Sequence, residues 1–123
     1  MDKSKIQLLV VDDSAFMRSY LKRLLIDSDF EVMAEASSGE EAIAIYERCQ
    51  PDLVILDITL PKMDGIETLR KIIQLDPQAK VVMCSSLGQK YLIEKALKIG
   101  AKDFIVKPYF DQFISVLNNV ITK

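Results

Sequence analysis

Four consecutive residues, Leu53-Val54-Ile55-Leu56, carry apolar side chains on both faces of any strand they form, with Pro51-Asp52 before them and Asp57 after. Such a strand has no side to turn to water, so it belongs inside a parallel sheet covered on both faces. Asp57 is then delivered to the carboxyl end of a central strand. That is where open α/β sheets place their ligands.

The rest of the chain repeats this rhythm. Ile6 to Val11 reads as a strand that stops at Asp12-Asp13-Ser14. Helix follows, with Ser14 as N-cap and Phe16, Met17, Tyr20, Leu21, Leu24 and Leu25 at helical spacing, and with Arg18, Lys22 and Arg23 on the opposite face. Phe30 to Ala36 alternates enough to be a strand nearer an edge. Ser38 and Glu41 have capping-box spacing ahead of Ala42, Ile43, Ile45 and Tyr46. Pro51 ends that helix, and the central strand runs from Asp52 to Ile58. Asp64 and Glu67 repeat the capping pattern before the stripe Ile66, Leu69, Ile72 and Ile73, which Pro77 closes.

Lys80 to Ser85 is the fourth strand and ends on Ser85-Ser86. A helix from about Gln89 to Ile99 buries Leu92, Ile93, Ala96 and Leu97 and stops at Gly100, a residue suited to a left-handed cap. Asp103 to Val106 is the fifth strand, ended by Lys107-Pro108, and Phe110, Phe113, Ile114, Leu117, Val120 and Ile121 mark a last amphipathic helix. Strict β-α alternation with short connections predicts right-handed crossovers and an α/β fold, a (βα)5 doubly wound parallel sheet of five strands, for which we take the flavodoxin-like order 2-1-3-4-5, the one that makes strands one, three, four and five neighbours.

The 123 residues are one domain's worth, and no second domain is expected. With 16 basic against 18 acidic residues the chain has no basic field for nucleic acid. The start, Met1 to Lys5, leads into only a short apolar run, so neither a signal peptide nor membrane insertion is expected and a cytoplasmic location is the default. Cys49 and Cys84 are expected as reduced core packing. The absence of histidine removes Ser/His/Asp hydrolysis and histidine metal sites.

In the predicted strand order the ends carrying Asp12-Asp13, Asp57, Ser85 and Lys107 open on one edge. Three carboxylates there repel by roughly 1 to 4 kcal/mol per close pair and need cations. Lys107 can neutralise one, and Mg²⁺ suits the rest, because it takes one or two carboxylates and leaves positions for phosphoryl oxygens. A carboxylate so flanked is placed to attack phosphorus, with Ser85 able to hydrogen-bond a phosphoryl oxygen.

Asp12-Asp13, Asp57, Ser85 and Lys107-Pro108 match the marker positions of the receiver domains of two-component response regulators, and the resemblance covers essentially the whole chain. Val-Val-Asp-Asp-Ser-Ala-Phe-Met-Arg, Met-Asp-Gly-Ile-Glu and Gly-Ala-Lys-Asp-Phe-Ile-Val-Lys-Pro are most similar to the chemotaxis members. The resemblance implies a single receiver domain over residues 1–123 without an output domain. Asp57 would accept a phosphoryl group from a histidine kinase. Asp13, Asp57 and the main-chain carbonyl of Thr59 would bind Mg²⁺, with Asp12 acting largely through water. Ser85 and Lys107 would engage the phosphoryl oxygens, before a cis Pro108. Phosphorylation and dephosphorylation would be autocatalysed, making the chain a switch and not an enzyme in the ordinary sense.

Phe104 falls where the family carries an aromatic switch, and Thr59 where a side chain tunes dephosphorylation. Tyr109 is read as packing. A protein target, with the flagellar motor switch as the candidate, would meet the face of the fourth and fifth helices, including Lys90, Tyr91, Lys95 and Lys98, and a phosphatase is a further partner. Two other readings stay within the family: a relay receiver, and the N-terminal receiver of a longer regulator. An aspartyl-phosphate hydrolase of the haloacid dehalogenase type needs a second acid two residues after the nucleophile, where Thr59 stands. Flavin binding on the same sheet would set a phosphate against Asp12-Asp13.

Overall fold

The computed structural model describes residues 4–122. Leu53–Leu56 forms β3, and all four of its side chains are buried. It is flanked by β1 (Ile6–Val11) and β4 (Val81–Ser85); β2 (Phe30–Ala36) and β5 (Asp103–Val106) form the edges. The sheet is parallel throughout, in order 2-1-3-4-5. Helices α1 (Ala15–Leu24), α2 (Gly39–Cys49), α3 (Gly65–Leu75), α4 (Lys90–Ile99) and α5 (Phe113–Ile121) alternate with the strands.

Alternating residues of the central strands feed two separate cores. Leu9, Val11, Val54, Leu56, Val81 and Met83 pack with Ala42, Leu69, Ile72 and Ala96 from α2, α3 and α4. Leu8, Val10, Leu53, Ile55, Val82 and Cys84 pack with Leu21 of α1 and Phe113 and Leu117 of α5. This is the two-faced burial that a strand without a polar side requires. Among the described residues no helix is long and apolar enough to cross a membrane.

Local chemistry sets the helix starts. The hydroxyls of Ser14 and Ser38 and the carboxylate of Asp64 accept from the amides of Met17, Glu41 and Glu67. The expected capping boxes close only halfway: Glu41 accepts from the Ser37 amide, and Glu67 pairs with Arg70 and Lys71. Gly100, at φ 142°, ends α4 and lies against Ile73 of α3.

Several expected core residues lie at the surface. Phe16, at the first turn of α1, is 70% exposed, and Leu97 is 44% exposed on the outer side of α4. Helical spacing finds the stripe, but its edges depend on how far the neighbouring elements reach. Cys84 is a buried free thiol as expected, whereas Cys49, on the last turn of α2, is exposed. Tyr109 is exposed, and Phe110 precedes α5 in a turn, meeting the Tyr20 ring at a tilt and the Phe113 ring edge-on. The third strand is also shorter than expected, so Asp57 lies just beyond the last strand residue.

Gly65 ties the fold to that position. Its amide donates to Ile58 at 2.7 Å, and a Cβ there would run into the carbonyl oxygen of Asp57 and the Cα of Ile58. The obstacle is backbone, which cannot swing aside. Gly65→Ala is therefore expected to destabilise the protein by about 1–3 kcal/mol in urea unfolding; an unchanged midpoint would show that the loop after β3 yields.

Candidate functional site

β1 ends at Val11, whose carbonyl accepts from the Asp57 amide at 3.0 Å, while the Asp12 amide donates to Ala36 of β2 at 3.0 Å. These two bonds extend the ladder just past the strands and set Asp12 and Asp57 side by side at the sheet's carboxyl edge. Both carboxylates are buried, whereas Asp13 is exposed. Oxygens from Asp12, Asp13 and Asp57 all lie within 4.8 Å of one another. Three hard oxygen donors at that separation fit a small divalent cation.

Lys107 follows β5 and enters from the opposite side, across a cis bond to Pro108. Its Nζ donates to Asp12 Oδ2 at 2.7 Å and to Asp57 Oδ2 at 3.3 Å. The remaining oxygens face main chain: Asp12 Oδ1 accepts from Ser14 N at 2.9 Å, and Asp57 Oδ1 from Ile58 N at 2.7 Å and Thr59 N at 3.4 Å. Each buried acid thus has its lone pairs directed, which a buried charge requires.

Ser85 is fully buried at the end of β4, where its Oγ accepts from Leu87 N at 3.1 Å and its carbonyl accepts from Lys107 N at 2.9 Å. Phe104 is half-buried against the core beneath α2, α3 and α4. Thr59 is exposed beside Asp57. Lys95 and Lys98, grouped from the sequence with Lys90 and Tyr91, line a groove between α3 and α4 with Arg70, Ile73, Gln74 and Ile99.

Two residues escaped the sequence reading. Arg18 is not on a solvated face: its guanidinium is largely buried, with Nε on Glu35 Oε1 at 2.8 Å and Nη1 donating to the Asp12 carbonyl. Glu35, on β2, also takes Lys22 Nζ at 2.7 Å. No local motif announces a contact between a helix and the strand that follows it, and only the charge of Glu35, one of two glutamates in β2, could have raised it.

Burial raises the Asp57 pKa above the ordinary carboxylate value; the charge of Lys107 opposes this, the charge of Asp12 adds to it, and hydrogen bonds from Lys107 and Ile58 pull it back. Burial works against the Lys107 ammonium too, but its hydrogen bond to Asp12 and the charges of Asp57 and Asp12 prevail and raise its pKa. Lys107 is therefore cationic at neutral pH.

Residues 8–117 match the response regulator receiver domain family. The chemotaxis protein CheY of Listeria monocytogenes is 55% identical over 104 residues, spanning 85% of this chain and 87% of that protein. CheY of Bacillus subtilis is 47% identical over 116 residues, 94% of this chain and 97% of that one. Among solved structures, the CheX-CheY-BeF3-Mg²⁺ complex from Borrelia burgdorferi superposes with a TM-score of 0.92 at 39% identity, covering 96% of this chain and 90% of the other.

The charge balance at Asp57 has a measurable consequence. Its proton is held more tightly in the folded than in the unfolded chain, so its contribution to stability is present below the unfolded pKa and is lost as pH rises through the folded one. At pH 7 and without divalent metal, Asp57→Asn should therefore raise the thermal midpoint. The gain should vanish on acidification through the Asp57 titration. A lower midpoint at pH 7 would contradict this balance.

Proposed function

The chain belongs to the family of response regulator receiver domains, closely related to the CheY chemotaxis regulators and hence a component of two-component signalling; from that premise we propose that Asp57 is its phosphoacceptor. The observation carrying the proposal is the placement of Asp57 Oδ2 under the Lys107 ammonium and beside the carboxylates of Asp12 and Asp13. In the transfer, a carboxylate oxygen of Asp57 forms a bond to phosphorus as the P–N bond of a kinase phosphohistidine breaks, and the departing imidazole takes a proton. The product is an acyl phosphate on Asp57.

The donor set fits Mg²⁺, with Asp13, Asp57 and the carbonyl of Thr59 as ligands and Asp12 acting largely through water. Bound there, Mg²⁺ supplies neutralisation of charge on the phosphoryl oxygens. Lys107 is held ready for the same work by its two carboxylate bonds, and on phosphorylation it exchanges Asp57 Oδ2 for a phosphoryl oxygen. Ser85, which accepts from Leu87, keeps its own O–H to donate to another. Both phosphorylation from small donors and loss of the phosphoryl group to water run at this site, with Thr59 beside the path of water.

The output is a shift of population. A move of Ser85 toward the phosphoryl group draws the β4–α4 loop with it and lets the half-buried Phe104 rotate inward, remodelling the surface of α4, β5 and α5 for a target protein. The flagellar motor switch is the target this reading favours, with a histidine kinase as donor, a phosphatase as a further partner and the cytoplasm as the place of action.

Incubation with Mg²⁺ and acetyl phosphate, followed by intact mass measurement, tests the assignment. One phosphoryl mass should appear, and chelation of Mg²⁺ or the change Asp57→Asn should abolish it. A gain that survives Asp57→Asn would overturn the assignment.

A further inference from the structure

The carbonyl of Asp12 lies past the end of β1, so the ladder that satisfies the strand carbonyls no longer serves it. It accepts instead from Arg18 Nη1, while the same guanidinium's Nε is held by Glu35 Oε1 at 2.8 Å. Glu35 is in turn fixed by Lys22 at 2.7 Å and sits in β2 one residue before Ala36, the residue whose carbonyl receives the Asp12 amide. Both ends of the Asp12 main chain are thus tied to the same short piece of β2, one directly and one through Arg18.

We propose that Arg18, anchored by Glu35, is a positioning residue for cation binding: by clamping the Asp12–Asp13 peptide it aims both carboxylates at the shared site. The proposal rests on the reading of that cluster as a Mg²⁺ site. Asp12 has three further restraints, through its amide, Ser14 and Lys107. Asp13 is exposed and follows directly on the clamped carbonyl, so the orientation of that peptide decides where its carboxylate reaches. Outer groups that orient metal ligands typically govern affinity by 10–100-fold.

The direction of the effect separates positioning from bulk charge. Arg18 is a cation bonded to the main chain of a metal-binding turn, and by Coulomb's law alone its removal should favour another cation. Positioning requires the opposite. A role confined to packing would lower the thermal midpoint and leave metal affinity unchanged.

The test is titration of the 123-residue protein with MgCl₂ by isothermal titration calorimetry, with thermal midpoints recorded in parallel. Arg18→Met, which keeps the aliphatic stem, should weaken Mg²⁺ binding about tenfold. Arg18→Lys, which keeps the charge but lacks the fork that reaches Glu35 and the Asp12 carbonyl together, should weaken it in the same direction by a smaller factor, and serves as the test should Arg18→Met fail to fold. Arg23→Met, which removes an exposed cation from the same helix, should leave the affinity within about twofold. Unchanged or tighter binding in Arg18→Met or Arg18→Lys, with wild-type binding intact, would overturn the inference alone. A wild-type protein that takes up no Mg²⁺ would overturn the metal reading and this inference with it.

Discussion

The arrangement at the sheet edge depends on one ammonium group between two buried carboxylates. Lys107 Nζ lies 2.7 Å from Asp12 and 3.3 Å from Asp57, acids that follow different strands and repel each other. Without the cation, the Asp57 carboxyl, already pushed up by burial and by the Asp12 charge, would be forced further toward protonation. With it, both remain usable as ligands and one as a nucleophile. The unequal distances leave Asp57 the less firmly held of the two, which suits a group that must exchange its partner for a phosphoryl oxygen.

The fold serves this interaction by bringing three separate chain segments to one edge. β1 and β3 are neighbours, so Asp12 and Asp57 meet through main-chain bonds that continue the ladder. β5 lies one strand further out, beyond β4, and Lys107 must span that gap; the bond from its amide to the Ser85 carbonyl fixes where the side chain begins. Gly65 lets α3 start hard against the loop that carries Asp57. Substitutions far from the carboxylates in sequence can therefore move them.

Much of this was legible in the residue order because it follows from local rules. Leu53–Leu56 has no polar face, which forces a central strand, and alternation forces the crossovers that put every strand's carboxyl end on one side. Ser14, Ser38 and Asp64 cap as their residue types predict. What the sequence hid was the extent of neighbouring surfaces. Phe16 and Leu97 fall on helical stripes, yet no element covers them, and Cys49 continues the pattern of α2 past the end of its cover. The contact of Arg18 with Glu35 spans 17 residues and two element types. Its partners are neighbours only because α1 packs back over the edge strand, a tertiary fact with no periodic signature.

The central claim is that Lys107 tempers the rise that burial imposes on the Asp57 carboxyl and so keeps it usable as ligand and nucleophile. It is tested most directly by following the Asp57 side-chain carboxyl carbon by NMR through a pH titration of the metal-free protein, in the wild type and in Lys107→Met. Titration above the ordinary carboxylate range in the wild type, with a further upward move in Lys107→Met, is the expected result. An Asp57 midpoint indifferent to the loss of Lys107 would contradict it.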